Sequence, residues 1–303
     1  MVFSQKEHRK NSCSLFLLIA LFINVFIINY GIIPTLYSLN YPNPELYSIA
    51  FCKLRLYFLH SGLMISRSLI ILACMDRCAL SSSSQRIRSI CQPKVALPII
   101  ICVSLAWPII SIHIPILLTI QSGRCSTFGT YSLIYSTYSF LVAGLLPPAL
   151  MIFFGFNTIR NLHSIHVRVR PINDGTYRIH RRDYNLMIML LGEVIIYLVS
   201  TTPYPIQTLY LAVTSNIMKT TLRLQIESFI TYMANSFLIY INSAAPFYVY
   251  ISTSRTFRQE CKRLFIRTRH IVMMTTRLNP TNHATHSLPL QQQQQQQQIT
   301  NHI

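Results

Sequence analysis

The sequence predicts an all-α integral membrane protein, and three observations carry that expectation. Hydrophobic residues fill 51% of the 303 positions and charged residues only 11%, with a mean hydropathy of +0.38; soluble domains carry about 25% charged residues. The apolar residues gather in runs close to the roughly 20 positions that a helix needs to cross hydrocarbon. Between those runs lie 26 Lys and Arg against 8 Asp and Glu, a net charge of +18.

The first run is Ser14 to Leu36. The second, Leu54 to Ala79, contains His60 and Arg67 and is otherwise apolar between Arg55 at its start and Asp76 and Arg77 at its end. Val95 to Ile120 holds the single tryptophan, Trp107. Ser132 to Ile159, Leu186 to Val213 and Glu227 to Ile251 complete six predicted transmembrane helices. Helices are expected because a backbone in lipid must satisfy its own hydrogen bonds, and no run alternates as a barrel strand does.

Charge orients these spans. Segments 1–12, 77–94, 160–182 and 252–278 hold 20 Lys and Arg, and the alternate loops hold 5: Lys53, Arg55, Arg124, Lys219 and Arg223. The positive-inside rule puts the richer set, and with it both the N-terminus and the C-terminus, in the cytosol. Charge spread in this way excludes a basic nucleic-acid domain, so the expected partner is the bilayer and not a nucleic acid. The basic start leads into a run too long for a signal peptide, with no small-residue cleavage site. Residues 1–12 read as a cytosolic segment, 13–267 as a helical bundle, and 268–303 as a disordered tail ending in the tract Gln291 to Gln298.

One register recurs along the chain. Asp76 and Arg77 close the second run, Cys52 stands 25 residues before Arg77, and Cys125 lies in the loop after the Trp107 run. Pro147 and Pro148, Pro203 and Pro246 punctuate the last three runs, and Asp183 precedes Pro203 by 20 residues. After Pro246, Phe257, Cys261, Leu264 and Phe265 share one helical face, with Arg255, Arg258, Lys262 and Arg263 on the other. As a set these features resemble the rhodopsin-like (class A) G-protein-coupled receptors, over about residues 4 to 266.

The resemblance implies helices two to seven of a seven-helix bundle, with an amphipathic helix at 254–266 lying on the inner leaflet. The counterpart of the first helix is missing, and residues 4–12 resemble the first inner loop. The chain then reads as a fragment, a shortened reading of a longer one, or a degenerate receptor. The resemblance further implies a Cys52–Cys125 disulfide on the oxidising side, and Arg77 as the G-protein contact, restrained by Asp76 and Asp183. It also implies residence in the plasma membrane and a heterotrimeric G protein as partner. Cys261 is a candidate for palmitoylation.

Several positions depart from the family pattern. Thr201 replaces the sixth-helix tryptophan and Tyr197 the phenylalanine below it; Ala245 and Val249 interrupt the seventh-helix motif, with Tyr250 one place late. Asn24 takes the second helix's aspartate, so Asn24, Ser66 and Asn242 would form a polar site without a carboxylate for sodium. Arg67 and Glu193 are ionisable groups within apolar runs, which are costly and default to function. They are expected to pair inside the bundle, with Tyr197 beside them, as this chain's internal switch.

Zinc spacing, a Walker loop and a nucleophile elbow are all absent from the sequence, so neither an enzyme nor a metal or cofactor is expected. The candidate ligand pocket comprises His60, Met64, Tyr204, Gln207, Thr208 and Asn235, a neutral, aromatic and hydrogen-bonding set that suggests a peptide. Leu59 sits where amine receptors of the family keep an aspartate. The expected function is transduction of an extracellular ligand into G-protein activation. The alternatives are a non-signalling receptor fragment and a six-span transporter or channel, which predicts a continuous polar path and broken helices near the midplane.

Overall fold

A computed structural model describes residues 12–168, 188, 190–253 and 258, apart from 83, 122, 123 and 216. The regular structure of the described chain is helical but for one short hairpin. Four helical stretches are long and apolar enough to cross a membrane: Ser12–Asn40, Ile49–Leu80, Pro93–Leu117 and Gly129–Asn161. They correspond to the first four predicted runs, with ends shifted by a few residues. The sequence expectation for 254–266, including Cys261, falls outside the described residues except at Arg258. Asp183 lies outside them as well.

Helix α1 (Ser12–Asn40) runs directly to the next element, α2 (Pro44–Tyr47), which Asn43 caps by accepting from the Glu45 amide at 3.0 Å. Ser48 caps α3 (Ile49–Leu80) through the Phe51 amide. α3 is the axis of the fold: α1, α5 (Pro93–Ile110), α6 (His113–Leu117) and α8 (Leu146–Arg168) all pack on it. Its buried side chains include Met64, Leu69, Ile70 and Ala73. α4 (Gln85–Ile90) bridges α3 and α5. Along α5, Leu97, Ile101, Leu105 and Ile109 recur every fourth residue, and all are exposed. Such an apolar stripe is stable in contact with lipid and not with water.

The predicted run Val95–Ile120 does not stay one helix. Pro115 has no N–H for the Ser111 carbonyl, and the chain bends at Ser111–Ile112 before α6. It then forms a hairpin absent from the sequence expectation, β1 (Thr119–Gln121) antiparallel to β2 (Arg124–Ser126), with Ile120 opposite Cys125.

Proline shapes the remaining helices too. α7 (Gly129–Tyr138) opens into a wide π turn, Ser139–Leu145, before α8. Pro147 and Pro148 lack the two amides that could reach the Ala143 carbonyl from four or five residues on. Helix α9 (190–201) breaks at Thr202, ahead of Pro203 and Pro205, and resumes as α10 (Pro203–Val213). α11 (Thr221–Tyr232) passes through a second wide turn, Met233–Leu238, into α12 (Ile239–Thr253), which packs on α1. The predicted run from Glu227 thus begins two turns earlier. Glu227 itself accepts from Lys219 Nζ at 2.6 Å, Arg223 Nε at 3.0 Å and Tyr210 Oη at 2.9 Å, fastening α10 to α11. Arg258 Nη1 donates to the carbonyls of Ile251 and Ser252 in α12.

Candidate functional site

Cys52 and Cys125 form a disulfide, with Cα atoms 5.9 Å apart. It ties the first turn of α3 to β2, and so holds the hairpin across the end of the bundle. Beneath it lies a cavity of about 340 Å³. One stripe of α3 lines its length: Cys52, Arg55, Leu59, His60, Leu63 and Arg67. Cys52, Arg55, Leu59, Leu63 and Arg67 recur at three- and four-residue intervals, with His60 beside Leu59 and three before Leu63, so they share a helical face. Both wide turns reach the cavity, through Ser139 and Ala143 on one side and Asn235 and Ser236 on the other.

Of the six pocket residues expected from sequence, His60, Tyr204 and Asn235 line this cavity. The other three do not. Met64 is turned into the core and takes a bond from Arg67 Nη1 on its sulfur at 3.7 Å. Gln207 bonds the Glu227 carbonyl and Thr231, and Thr208 returns its hydroxyl to the Tyr204 carbonyl. His60 is held between two phenols, Nε2 3.4 Å from Tyr138 Oη and Nδ1 3.5 Å from Tyr135 Oη.

The upper wall contains a charged group that the sequence reading placed in a loop. Arg55 sits on α3, pairs with Glu45, and donates Nη2 to the Gly31 carbonyl at 2.7 Å and to Thr35 Oγ1 at 2.8 Å. The ring of Tyr240 lies against Gly31 so closely that a Cβ there would overlap it. Arg55's spacing of three from Cys52 was the available signal; Glu45, Thr35 and Tyr240 come from other elements and left none.

At the floor, Arg67 is 4% exposed. Its guanidinium carbon stands 5.3 Å from the centroid of the Tyr197 ring. Nε and Nη2 have no hydrogen-bond partner among the described residues. The expected direct Arg67–Glu193 pair is therefore not formed. Glu193 is buried one turn from Tyr197 on α9, at a separate space of about 10 Å³ shared with Ile70, Met151 and Pro246. Tyr197 borders that space as well, and its Oη is itself committed to the Ala143 carbonyl at 2.5 Å.

The opposite end of α3 is closed. Arg77 Nη2 meets Asp76 Oδ2 at 2.6 Å, and both residues are buried. Asp76 also accepts from Ser12 Oγ on α1, and its carbonyl accepts from Cys91 Sγ at 3.5 Å. Burial and the Asp76 carboxylate push the Cys91 thiol up to about 12. Between the two ends, Ser66 Oγ donates to Asn24 Oδ1 at 2.7 Å, joining α3 to α1, while Asn242 faces the Glu193 space. Trp107 Nε1 donates to Ser68 Oγ at 2.8 Å, joining α5 to α3. No group of three His, Cys, Asp or Glu positioned for a metal occurs among the described residues.

No protein-family model matches the sequence, and a comparison with curated proteins finds no match.

Proposed function

We propose that the chain is a rhodopsin-like receptor that relays occupancy of the outer cavity to a heterotrimeric G protein at the Arg77 end. In this reading 190–213 and 221–253 are the fifth and sixth spans, completing six. The cavity faces outward, the Arg77 end lies in the cytosol, and the membrane is the plasma membrane. The observation that supports it most is the organisation of α3. A disulfide anchors one end, a ligand-sized cavity follows its face, and a buried Asp76–Arg77 pair closes the other end. A transporter has no need to place those three features on one helix.

The mechanism follows from the chemistry of the closed end. A charge-assisted bond holds Arg77 against Asp76, and Ser12 holds Asp76 to α1. A ligand that moves α3 relative to α1 shifts the balance between this closed state and one in which Arg77 is available, in proportion to its differential affinity for the two. Guanine-nucleotide exchange by the full chain in nanodiscs, across a panel of G-protein α subunits and candidate peptides, tests the proposal. Exchange that Arg77→Ala abolishes is expected. Ion or solute flux through reconstituted protein, without exchange, would refute it in favour of a transporter or channel.

A further inference from the structure

We infer that the outer cavity takes a ligand bearing a single carboxylate, which docks on Arg67 at the cavity floor. This rests on the cavity being the ligand site proposed above, and it names the chemistry of the ligand. The charges lining the cavity are Arg55, Glu45 and Arg67. Arg55 and Glu45 neutralise each other. Among the described residues Arg67 is left as one positive charge, almost fully buried, with two of its three nitrogens lacking an acceptor. Tyr197's ring attracts a cation through its face, but it supplies no lone pair for the guanidinium N–H groups. A buried cation without a counter-ion is among the most costly arrangements in a protein. Its position on a cavity, and not in packed core, leaves room for a ligand to supply the missing anion.

The geometry selects among anions. Arg67 lies 15 residues below Cys52 on α3, about 22 Å along the helix. The cavity that spans this distance measures only about 340 Å³, so it is a slot. Leu59, Leu63 and Ile239 make part of it apolar, beside the hydroxyls and amides of Ser139, Asn235 and Ser236. An extended body of mixed polarity with its acid at the leading end fits that shape. One unbalanced charge matches a monoanion, and the planar guanidinium matches a carboxylate fork. A phosphate dianion would need a second free cation, and Arg55 is already paired. A free organic acid and the C-terminal carboxylate of a peptide present the same group, and the test separates them.

The full chain in lipid nanodiscs is titrated in two arms while its melting temperature is followed. One arm uses aliphatic and aryl-alkanoic acids with their primary amides; the other uses short apolar peptides as free acids and as C-terminal amides. An acid that raises the melting temperature where its amide does not is expected in one arm, which identifies the source. Arg67→Met should weaken that binding at least about tenfold and raise the melting temperature of the ligand-free chain, because it removes an uncompensated buried charge. Arg67→Lys, which keeps the charge without the fork, should retain part of the binding and decides the matter if the methionine variant does not fold. Acids no better than amides, no acid binding, or unchanged binding in the variants overturns the inference. So does a cycle in which Arg67→Met and Glu193→Met each lower stability and the double variant recovers it, since Glu193 would then be the counter-ion. Acid binding without nucleotide exchange leaves this inference and defeats the receptor; exchange driven only by neutral ligands does the reverse.

Discussion

Tyr197 Oη donates to the carbonyl of Ala143 at 2.5 Å, and the reason lies four and five residues further on. Pro147 and Pro148 remove both amides that a helical or π turn would have offered that carbonyl. A side chain from α9 replaces the missing backbone donor. The same ring carries Arg67 on its face, so one residue joins the floor of the cavity to the turn that flanks it. Tyr197→Phe should keep the ring and orphan the carbonyl, costing about 1–3 kcal/mol. Thermal unfolding in nanodiscs checks this. In a Pro147→Ala, Pro148→Ala background the same change should cost less, because an amide donor returns.

Gly31 on α1 lies against Tyr240 of α12 at the cavity's upper wall. A methyl there meets the Tyr240 ring, whose position also bounds Arg55. Gly31→Ala should destabilise by about 1–3 kcal/mol as an overpacking change, and adding Tyr240→Ala should relieve most of the clash. Equal losses in both backgrounds would place the cost elsewhere.

The Cys52–Cys125 bridge closes a loop of 73 residues in sequence separation. Cys52→Ser should cost about 2–5 kcal/mol, the range for native disulfides. It should also free the hairpin over the cavity, so ligand-dependent stabilisation should fall with it. Non-reducing peptide mapping of the native chain should recover the two cysteines in one linked fragment.

If the Asp76–Arg77 pair restrains the proposed receptor, Asp76→Asn should raise basal nucleotide exchange, and Ser12→Ala should raise it less, since Asp76 keeps its arginine. Basal exchange identical to the native chain in both variants would remove the pair from the mechanism.

Cys91 offers a titration test at the same end. Its thiol is raised to about 12 by burial and by Asp76. A raised thiol pKa means the protonated form persists as pH rises, so at pH 8 almost no nucleophilic thiolate exists. Maleimide or iodoacetamide labelling of Cys91 should run at least about tenfold slower than labelling of a free peptide of residues 85–94, and should accelerate only in strongly alkaline solution. Labelling at the peptide rate would show an open, solvated thiol.

The helical class and the four apolar spans were legible in the sequence, because the hydrophobic run is a one-dimensional property set by the thickness of a bilayer. Of the α3 stripe, Cys52, Leu59, His60 and Arg67 were singled out from the sequence one by one, but their shared face with Arg55 and Leu63 was not read. Proline told where helices would be disturbed, but not how. The bend at Ser111, the break at Thr202 and the wide turn before Pro147 are three different answers to the same missing amide. Which answer is adopted depends on the donors that neighbouring helices bring, as Tyr197 brings one to Ala143. Pairing was the least legible. Two opposite charges in apolar runs suggest a bridge, yet Arg67 rests on Tyr197 and Glu193 faces another space. Arg55, counted as a loop charge, is bound to groups on α1 and α2. Rotation of one helix about its axis decides such contacts. That rotation is set by the packing of all the neighbours at once, which no single segment of sequence contains.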